Sequence, residues 1–541
     1  MDRFHAVSSF EDEIDQPPGT FKLIGDDAED EDGQCMVLLY PIPSSDPNVP
    51  LNWSTMRKSV NFTIVLAMTI VIFTALSIQA IFWQQMTVDL EVTYTELNKA
   101  MSVNFVGLTT GCIFFIPFAK KYGRRPVYIV STALMLTTSF WTSKMNSLTE
   151  LYLTSLLQGL AGATNESIAE ITIADLFFVH DRGSMNGLYL TCVMIGSFLT
   201  PMAAGAQATQ YGWRSSYQIM GIFNGVLFVL FLFIYEETKF VSVFIGQARA
   251  TVEEVDQRVS IREDGSDNFD SGSSAKGPSI TEHTRSHHVL DLTIPRNSWR
   301  KRLALVTPTP EPIWPHFYRP FCVLIFPAVA FAAFQYAAGI AWLTVTSSVL
   351  SLTFPAPPYL FSPAQIGYTS AVYGGFLGDR SILYYAKRNR GYYEPEMRLY
   401  ILHLPAIFMT GGLIMFGATI SRPSSHLGWI WPNIAGAFFG FGLGSISDAA
   451  LVLVMDSYRE ITGDAFTAVA FMHNAVGIAI PFAIYPWIQR NGIQNMFIAC
   501  GMLNLVITGT IIPMVLGQVW SARIGRPISR YCEAWLCWLT D

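Results

Sequence analysis

LYLTSLLQGLAGATNESIAEITIADLFF, residues 151–178, is long enough to cross a bilayer and yet contains Glu166, Glu170 and Asp175. It runs directly into Val179-His180-Asp181-Arg182-Gly183. A carboxylate facing lipid near mid-membrane costs several kcal/mol, so such residues face a protein interior or a water-filled path. At about 100° per residue, Gly159, Gly162, Glu166 and Glu170 share one helical stripe, and Asp175 lies on the opposite face. The glycines allow a neighbouring helix to approach closely, with the two acids farther along the same seam. The stretch reads as a helix that lines a pathway.

Working outward, the 541-residue chain is 51% hydrophobic and 14% charged, against about 25% charged in an average soluble domain. That balance specifies an integral membrane protein. The net charge of −7 says little about partners, because the acids crowd into the ends and middle of the chain. Seven cysteines (Cys35, Cys112, Cys192, Cys322, Cys500, Cys532, Cys537) form no CxxC pair, so no disulfide framework and no metal site is expected. The acidic, Pro-rich start lacks the pattern of a cleaved signal peptide, which leaves the first span as the insertion signal.

Residues 1–55 read as a disordered cytosolic tail, with acidic runs at 11–15 and 26–32 that bury too little apolar surface to fold. Six spans follow within 56–239, at about 61–83, 100–118, 127–145, 151–178, 186–206 and 217–235. Lys120, Lys121, Arg124 and Arg125 form the densest basic loop of this half, which the positive-inside rule assigns to the cytosol together with both termini. Residues 240–314 turn charged and Ser-rich and read as a long cytosolic linker, ending in the basic cluster Arg296, Arg300, Lys301 and Arg302. The second half, 315–520, shows spans at about 317–350, 400–420, 429–455, 466–487 and 496–520, before a cytosolic tail at 521–541. A sixth crossing is required between Pro363 and Arg380, because Arg380, Lys387, Arg388, Arg390 and Arg398 form another basic loop. Only 364–378 is apolar there, about 22 Å as helix against a core of about 30 Å. The expected fold is therefore an all-α membrane protein of twelve transmembrane helices in two six-helix bundles. Its eighth helix is abnormally short, as a deletion or a misassigned splice site would leave it.

Two six-helix halves around a long linker resemble the major facilitator superfamily, in which two bundles rock about a central site. The loop Pro117-Phe118-Ala119-Lys120-Lys121-Tyr122-Gly123-Arg124-Arg125-Pro126 resembles that family's GxxxDxxGRR signature. Gly123, Arg124 and Arg125 fit, whereas Ile116 replaces the first glycine and Lys120 the aspartate. The equivalent second-half loop keeps Gly375, Asp379 and Arg380. The resemblance implies that these loops gate the cytosolic end by ion pairs that break as the halves separate; topology signalling alone is the competing reading. In the fifth span, Gly196-Ser197-Phe198-Leu199-Thr200-Pro201 with Gly205 is similar to the antiporter motif of drug:proton exchangers, with Thr200 at its second glycine; tight packing beside a kinking proline is the plain alternative. Residues 166–183, Tyr211-Gly212-Trp213-Arg214, the segment 236–240 and Glu394-Pro395-Glu396-Met397-Arg398-Leu399 resemble fungal twelve-helix drug:proton antiporter-like members. One departure stands out: Ser155 occupies the position of an arginine found in many proton antiporters.

The resemblance implies proton-coupled export of a small organic molecule, such as a drug, toxin or secondary metabolite, by alternating access in the plasma membrane. Proton-symport uptake of an organic cation is the alternative, and a non-transporting relative is a third. Two carboxyls at i and i+4 repel when both are ionised, so Glu166 and Glu170 are candidate proton carriers or counter-ions for a cation, with structural hydrogen bonding as the bland alternative. First, fourth, seventh and tenth helices line the cavity in the resembled family, which adds Gln79, Gln335, Tyr336 and Asp448, with His473 and Asn474 in the eleventh. Trp83 and Trp342 join Tyr336 as aromatics able to stack on a ring or cation. Asp175 is expected to act as an end cap or loop anchor. No GxxxxGK[ST] loop is present, so no nucleotide-driven step is expected within this chain, and the site chemistry is too sparse for an enzyme. The expected partners are the bilayer, protons and a small-molecule substrate, with no nucleic acid and no cofactor, and the chain is expected to be monomeric.

Overall fold

A computed structural model of the chain describes residues 21–22, 24–29, 35–37, 46–239, 297–308, 312–370, 392–393, 402–422, 428–457 and 462–516. Its body is helical. The first span is Thr55–Ile81, followed by a short helix, Trp83–Asp89. The second, Tyr94–Tyr122, opens with a capping box in which Thr93 and Glu96 satisfy each other's backbone N–H groups. The third and fourth are Arg124–Lys144 and Leu148–Leu176, and the sixth is Trp213–Phe233. The fifth runs as Val179–Met194, a wide turn at Ile195–Leu199, and Thr200–Tyr211. That wide turn has a local cause: Pro201 lacks an N–H and its ring crowds the carbonyl four residues back.

In the second half the expected span 317–350 is two helices, Pro315–Val323 and Pro327–Thr353. The break falls where Pro327 cannot continue a preceding helix but can start a new one. The eighth span is helical over Pro363–Ser370; the rest of its expected stretch, with Gly375, Asp379 and Arg380, lies outside the described residues. The ninth and tenth are His403–Ser421 and Ile430–Ser457. Thr462–Gly509 contains the eleventh and twelfth, separated at Gly492, where φ is 73°. Eight helices are long and apolar enough to cross a membrane by length and composition, counting Gly463–Pro513 once. Splitting that last one at Gly492, and adding the more polar third and fourth spans, makes eleven long helices among the described residues. Outside the body, Phe21–Lys22 pairs antiparallel with Tyr392–Tyr393, and Ile24–Glu29 with Cys35–Val37.

Lipid tails are as apolar as leucine, so helix association rests on close van der Waals contact rather than on escape from water. The second and fourth spans meet backbone to backbone. A Cβ on Gly159 would lie 2.0 Å from Asn104 O, and one on Gly107 would lie 2.2 Å from Leu156 O. The halves meet along two seams: the second span against the eleventh, and the fifth against the eighth. In the latter, a Cβ on Gly205 would lie 2.4 Å from Pro363 O, and one on Gly367 2.7 Å from Pro201 O. Outward faces stay apolar, as at Phe114, Val226, Ile407 and Val506, which suits surface turned to lipid.

Because Gly159 sits backbone to backbone with the second span, Gly159→Val should force those spans apart. The expected cost is about 1–3 kcal/mol, read as a lower melting temperature of the detergent-solubilised protein, whereas Gly162→Ala, whose Cβ would find only ordinary contacts beyond 3.4 Å, should be close to neutral.

Candidate functional site

The geometry centres on Glu166. Its helix packs tightly on the second span through Gly159, which holds the next two turns against the gap between the halves. There the Glu166 carboxylate reaches the eleventh span: Asn474 Nδ2 donates to its Oε2 at 2.6 Å, and His473 Nε2 lies 3.4 Å from the same oxygen. His473 Nδ1 lies 3.0 Å from Val469 O, one turn back along its own helix, and donates there. A neutral imidazole with its proton on Nδ1 presents only a lone pair at Nε2. That nitrogen faces the carboxylate oxygen across the seam between the halves. Tyr336 from the seventh span packs on the other side of the imidazole, with ring centroids 4.8 Å apart.

These groups open on a cavity of about 1490 Å³, counting its solvent-open part, bounded by both halves. Its wall is chiefly apolar, with Phe73, Phe105, Phe198 and Phe439 among the lining side chains. Glu166, Gln79, Tyr336, His473 and Asn474 all line it, so five of the residues singled out from sequence converge on one space. Among the described residues, Gln79 Nε2 and Asn474 Oδ1 are buried there without a hydrogen-bond partner, one donor and one acceptor.

Other candidates fall elsewhere. Glu170 is buried at 3% exposure, one turn beyond Glu166 and outside the cavity wall. Gln335 turns away from the cavity, and its amide donates to Ile507 O at 2.8 Å and Thr510 Oγ1 at 3.1 Å. Trp342 donates to Asn504 Oδ1 at 3.1 Å, and Trp83 is buried in the first half; neither lines the cavity. Asp448 lies within the helix Ile430–Ser457, with its side chain outside the described residues. Ser155 is buried, and its carbonyl accepts from Asn104 Nδ2 at 3.0 Å.

The basic end of the bundle is a second cluster. Gly123 joins the second and third spans with φ of 117°, a left-handed conformation that glycine adopts freely. The Glu237 carboxylate sits where a side chain at 123 would be and accepts from the N–H groups of Arg124 at 2.9 Å and Arg125 at 3.1 Å. It caps the third span as an anion at a helix N-terminus. Arg124 Nε donates to Asp175 Oδ2 at 3.0 Å, so the acid missing from the signature-like loop is supplied by the end of the fourth span. Arg125 donates to the carbonyls of Leu232 and Leu303. Lys120, standing at the family's aspartate position, forms an ion pair with Asp464 in the first turn of the eleventh span. The first half thus supplies the base of this contact and the second half the acid. Sequence reading missed Asp464, whose partner lies 344 residues away and whose only local hint is its place in a helix's first turn; it singled out the segment holding Glu237 without its partner 113 residues away. At the opposite end, Asp89 accepts from Trp213 Nε1 at 3.0 Å and Arg214 Nη1 at 2.8 Å, which gives the Tyr211–Arg214 motif its work. Gly196 and Gly205 are also contact points, against the first span at Ile70 O and against the eighth at Pro363 O.

With this geometry in hand, comparisons with known proteins agree in kind. Residues 65–481 match the model of the Major Facilitator Superfamily. An uncharacterized MFS-type transporter of Schizosaccharomyces pombe is 29% identical, with 90% of this chain and 89% of the relative covered. Multidrug transporter TPO1_2 of Candida glabrata is 25% identical, with coverage of 86% and 75%. A crystal structure of the peptide transporter POT matches with a TM-score of 0.54 at 14% identity, covering 86% of this chain and 95% of that one; at that identity it speaks to the fold alone.

This ion pair makes a reciprocal prediction. Asp464→Lys sets a second cation against Lys120 and should lower the melting temperature in detergent, with a coupling of about 1–3 kcal/mol. Adding Lys120→Asp to Asp464→Lys should recover most of that loss.

Proposed function

The chain belongs to the Major Facilitator Superfamily, and on that premise we propose that it is a proton-coupled secondary transporter that exports small organic molecules across the plasma membrane by alternating access, with both termini in the cytosol. The observation that carries this reading is the cross-half contact of Glu166 with His473 and Asn474 inside an apolar cavity. One carboxylate belongs to the first half and its partners to the second, so any change in its charge alters the attraction between halves.

The steps follow from the groups present. With Glu166 held by Asn474 and close to His473, the halves are tied at the cavity. An organic cation entering the cavity competes for the carboxylate, and a proton arriving on Glu166 competes with that cation. Exchange of one for the other is coupling in its simplest form. Phe73, Phe105, Phe198 and Phe439 supply apolar and π surface for the substrate body, and Gln79 Nε2 and Asn474 Oδ1 supply hydrogen bonds. Glu170, buried one turn toward the basic end, is the next acceptor along the fourth span. The named multidrug transporter among the relatives, together with the glycine and proline seam of the fifth span, supports export of a broad class of compounds. Lys120–Asp464 at the basic end and the Gly205–Pro363 seam at the other serve as the two gates.

Proton-symport uptake is the second reading. It is favoured by Ser155, which leaves the fourth span without the arginine found in many antiporters.

Purified protein in proteoliposomes, loaded with a panel of organic cations and given an imposed pH gradient, tests the proposal. Gradient-driven flux of at least one compound is expected, and its direction decides between exchange and symport. Glu166→Gln should weaken substrate binding by about ten- to a hundredfold, the value of a hydrogen bond to a charged group. It should also flatten the pH profile, and Glu170→Gln should shift that profile; Asp175→Asn should change folding yield or rate without moving it. An unchanged profile in both glutamine variants overturns the proton-carrier role.

A further inference from the structure

Residues 297–308, the described end of the linker, form a strap along the basic end of the first bundle. Asn297 N donates to Asn48 Oδ1 at 2.8 Å, just ahead of the first span. Leu303 O accepts from Arg125, which also holds Leu232 O at the end of the sixth span. Glu237 N donates to Arg302 O at 3.2 Å, and Thr307 N to Tyr122 O at 2.8 Å. Lys239 Nζ bridges Thr307 O and Lys121 O at 2.9 and 2.7 Å. The strap therefore follows the rim from the first span past the sixth and third to the second.

What it presents outward is unusual for a surface in water. Trp299 and Leu305 are each 54% exposed and Val306 49%, beside exposed Arg300 and Lys301. The anchor at Tyr122 marks the height of this surface, since Tyr122 stacks on Phe118 at 5.6 Å and Phe118 is itself 42% exposed on the outer face of the second span. Thr307 is thus pinned where the lipid-facing wall ends. Among the described residues, Glu236 is engaged by Arg57, Glu237 by backbone N–H groups, Asp175 by Arg124 and Asp46 by Asn48. Water disfavours three exposed apolar side chains on one twelve-residue strap, and a protein neighbour would leave two cations to be neutralised. A bilayer surface takes both, with aromatic and aliphatic groups at the headgroup boundary and Arg and Lys among phosphates.

We propose that this strap is a docking surface for anionic phospholipids of the adjoining leaflet: Arg300 and Lys301 bind the headgroups, and Trp299, Leu305 and Val306 enter the boundary region. The same strap holds Tyr122 O and Arg125, so headgroup binding bears directly on the signature-like loop. The inference needs only that the bundle is embedded in a membrane and is independent of the direction or coupling of transport.

The test uses the full chain in nanodiscs, which present the same lipids on both faces, made of phosphatidylcholine with or without phosphatidylserine. A benzophenone amino acid replaces Trp299, and photo-adducts are identified by mass spectrometry. Adducts on phosphatidylserine are expected at about fivefold or more above its share of the disc, since each cation near the surface contributes an attraction of that order. Arg300→Gln with Lys301→Gln should return the yield to that share, while Arg300→Lys with Lys301→Arg should keep the enrichment. Adducts in proportion to lipid composition in the unsubstituted strap, or adducts chiefly on protein, overturn the proposal.

Discussion

A carboxylate inside a membrane protein must be partnered, and Glu166 finds its partners on the other half of the chain. Unmet, its charge would cost several kcal/mol in a low-dielectric interior; met within its own half, it would have no bearing on how the halves sit together. Asn474 and His473 meet it across the seam. The glycine contact that seats the fourth span on the second brings Glu166 to that seam, and Tyr336 supports the imidazole from a third helix.

The eleventh span is where these constraints come together. Asp464 in its first turn holds Lys120, and nine residues further on His473 and Asn474 hold Glu166. At 1.5 Å per residue the two contacts lie about 13.5 Å apart on one helix. A helix transmits rotation along its length, so a movement that opens one contact strains the other. The contact at the cavity and the contact at the basic end thereby share one helix.

Part of the fold and of the cavity wall is legible in the sequence for physical reasons, and part is not for equally physical ones. Glu166, Gln79 and Tyr336 were legible because polar residues in long apolar runs are costly and therefore directed. His473 and Asn474 were legible as oddities, although nothing local showed that they face Glu166. Gln335 satisfied the same rule and points elsewhere, since helix periodicity names a face only when the neighbours on each side are known. The apolar run 317–350 was read as one span, and Pro327 divides it, a signal that was local and available. The signature-like loop itself carries no acid for Arg124, and Asp175 at the end of the fourth span supplies one.

Composition and hydropathy by themselves determined that the chain is an all-helical membrane protein, where most spans lie, and which few polar residues had to face inward. Those follow from a solvent that leaves no backbone group or charge unmet, a constraint written residue by residue. Only the tertiary structure decided the pairings: Lys120 with Asp464, Glu237 with the start of the third span, Glu166 with His473 and Asn474. Each joins residues more than a hundred positions apart. Their choice depends on helix rotation and on the close approaches allowed at Gly107, Gly159, Gly205 and Gly367, and hydropathy carries no record of either.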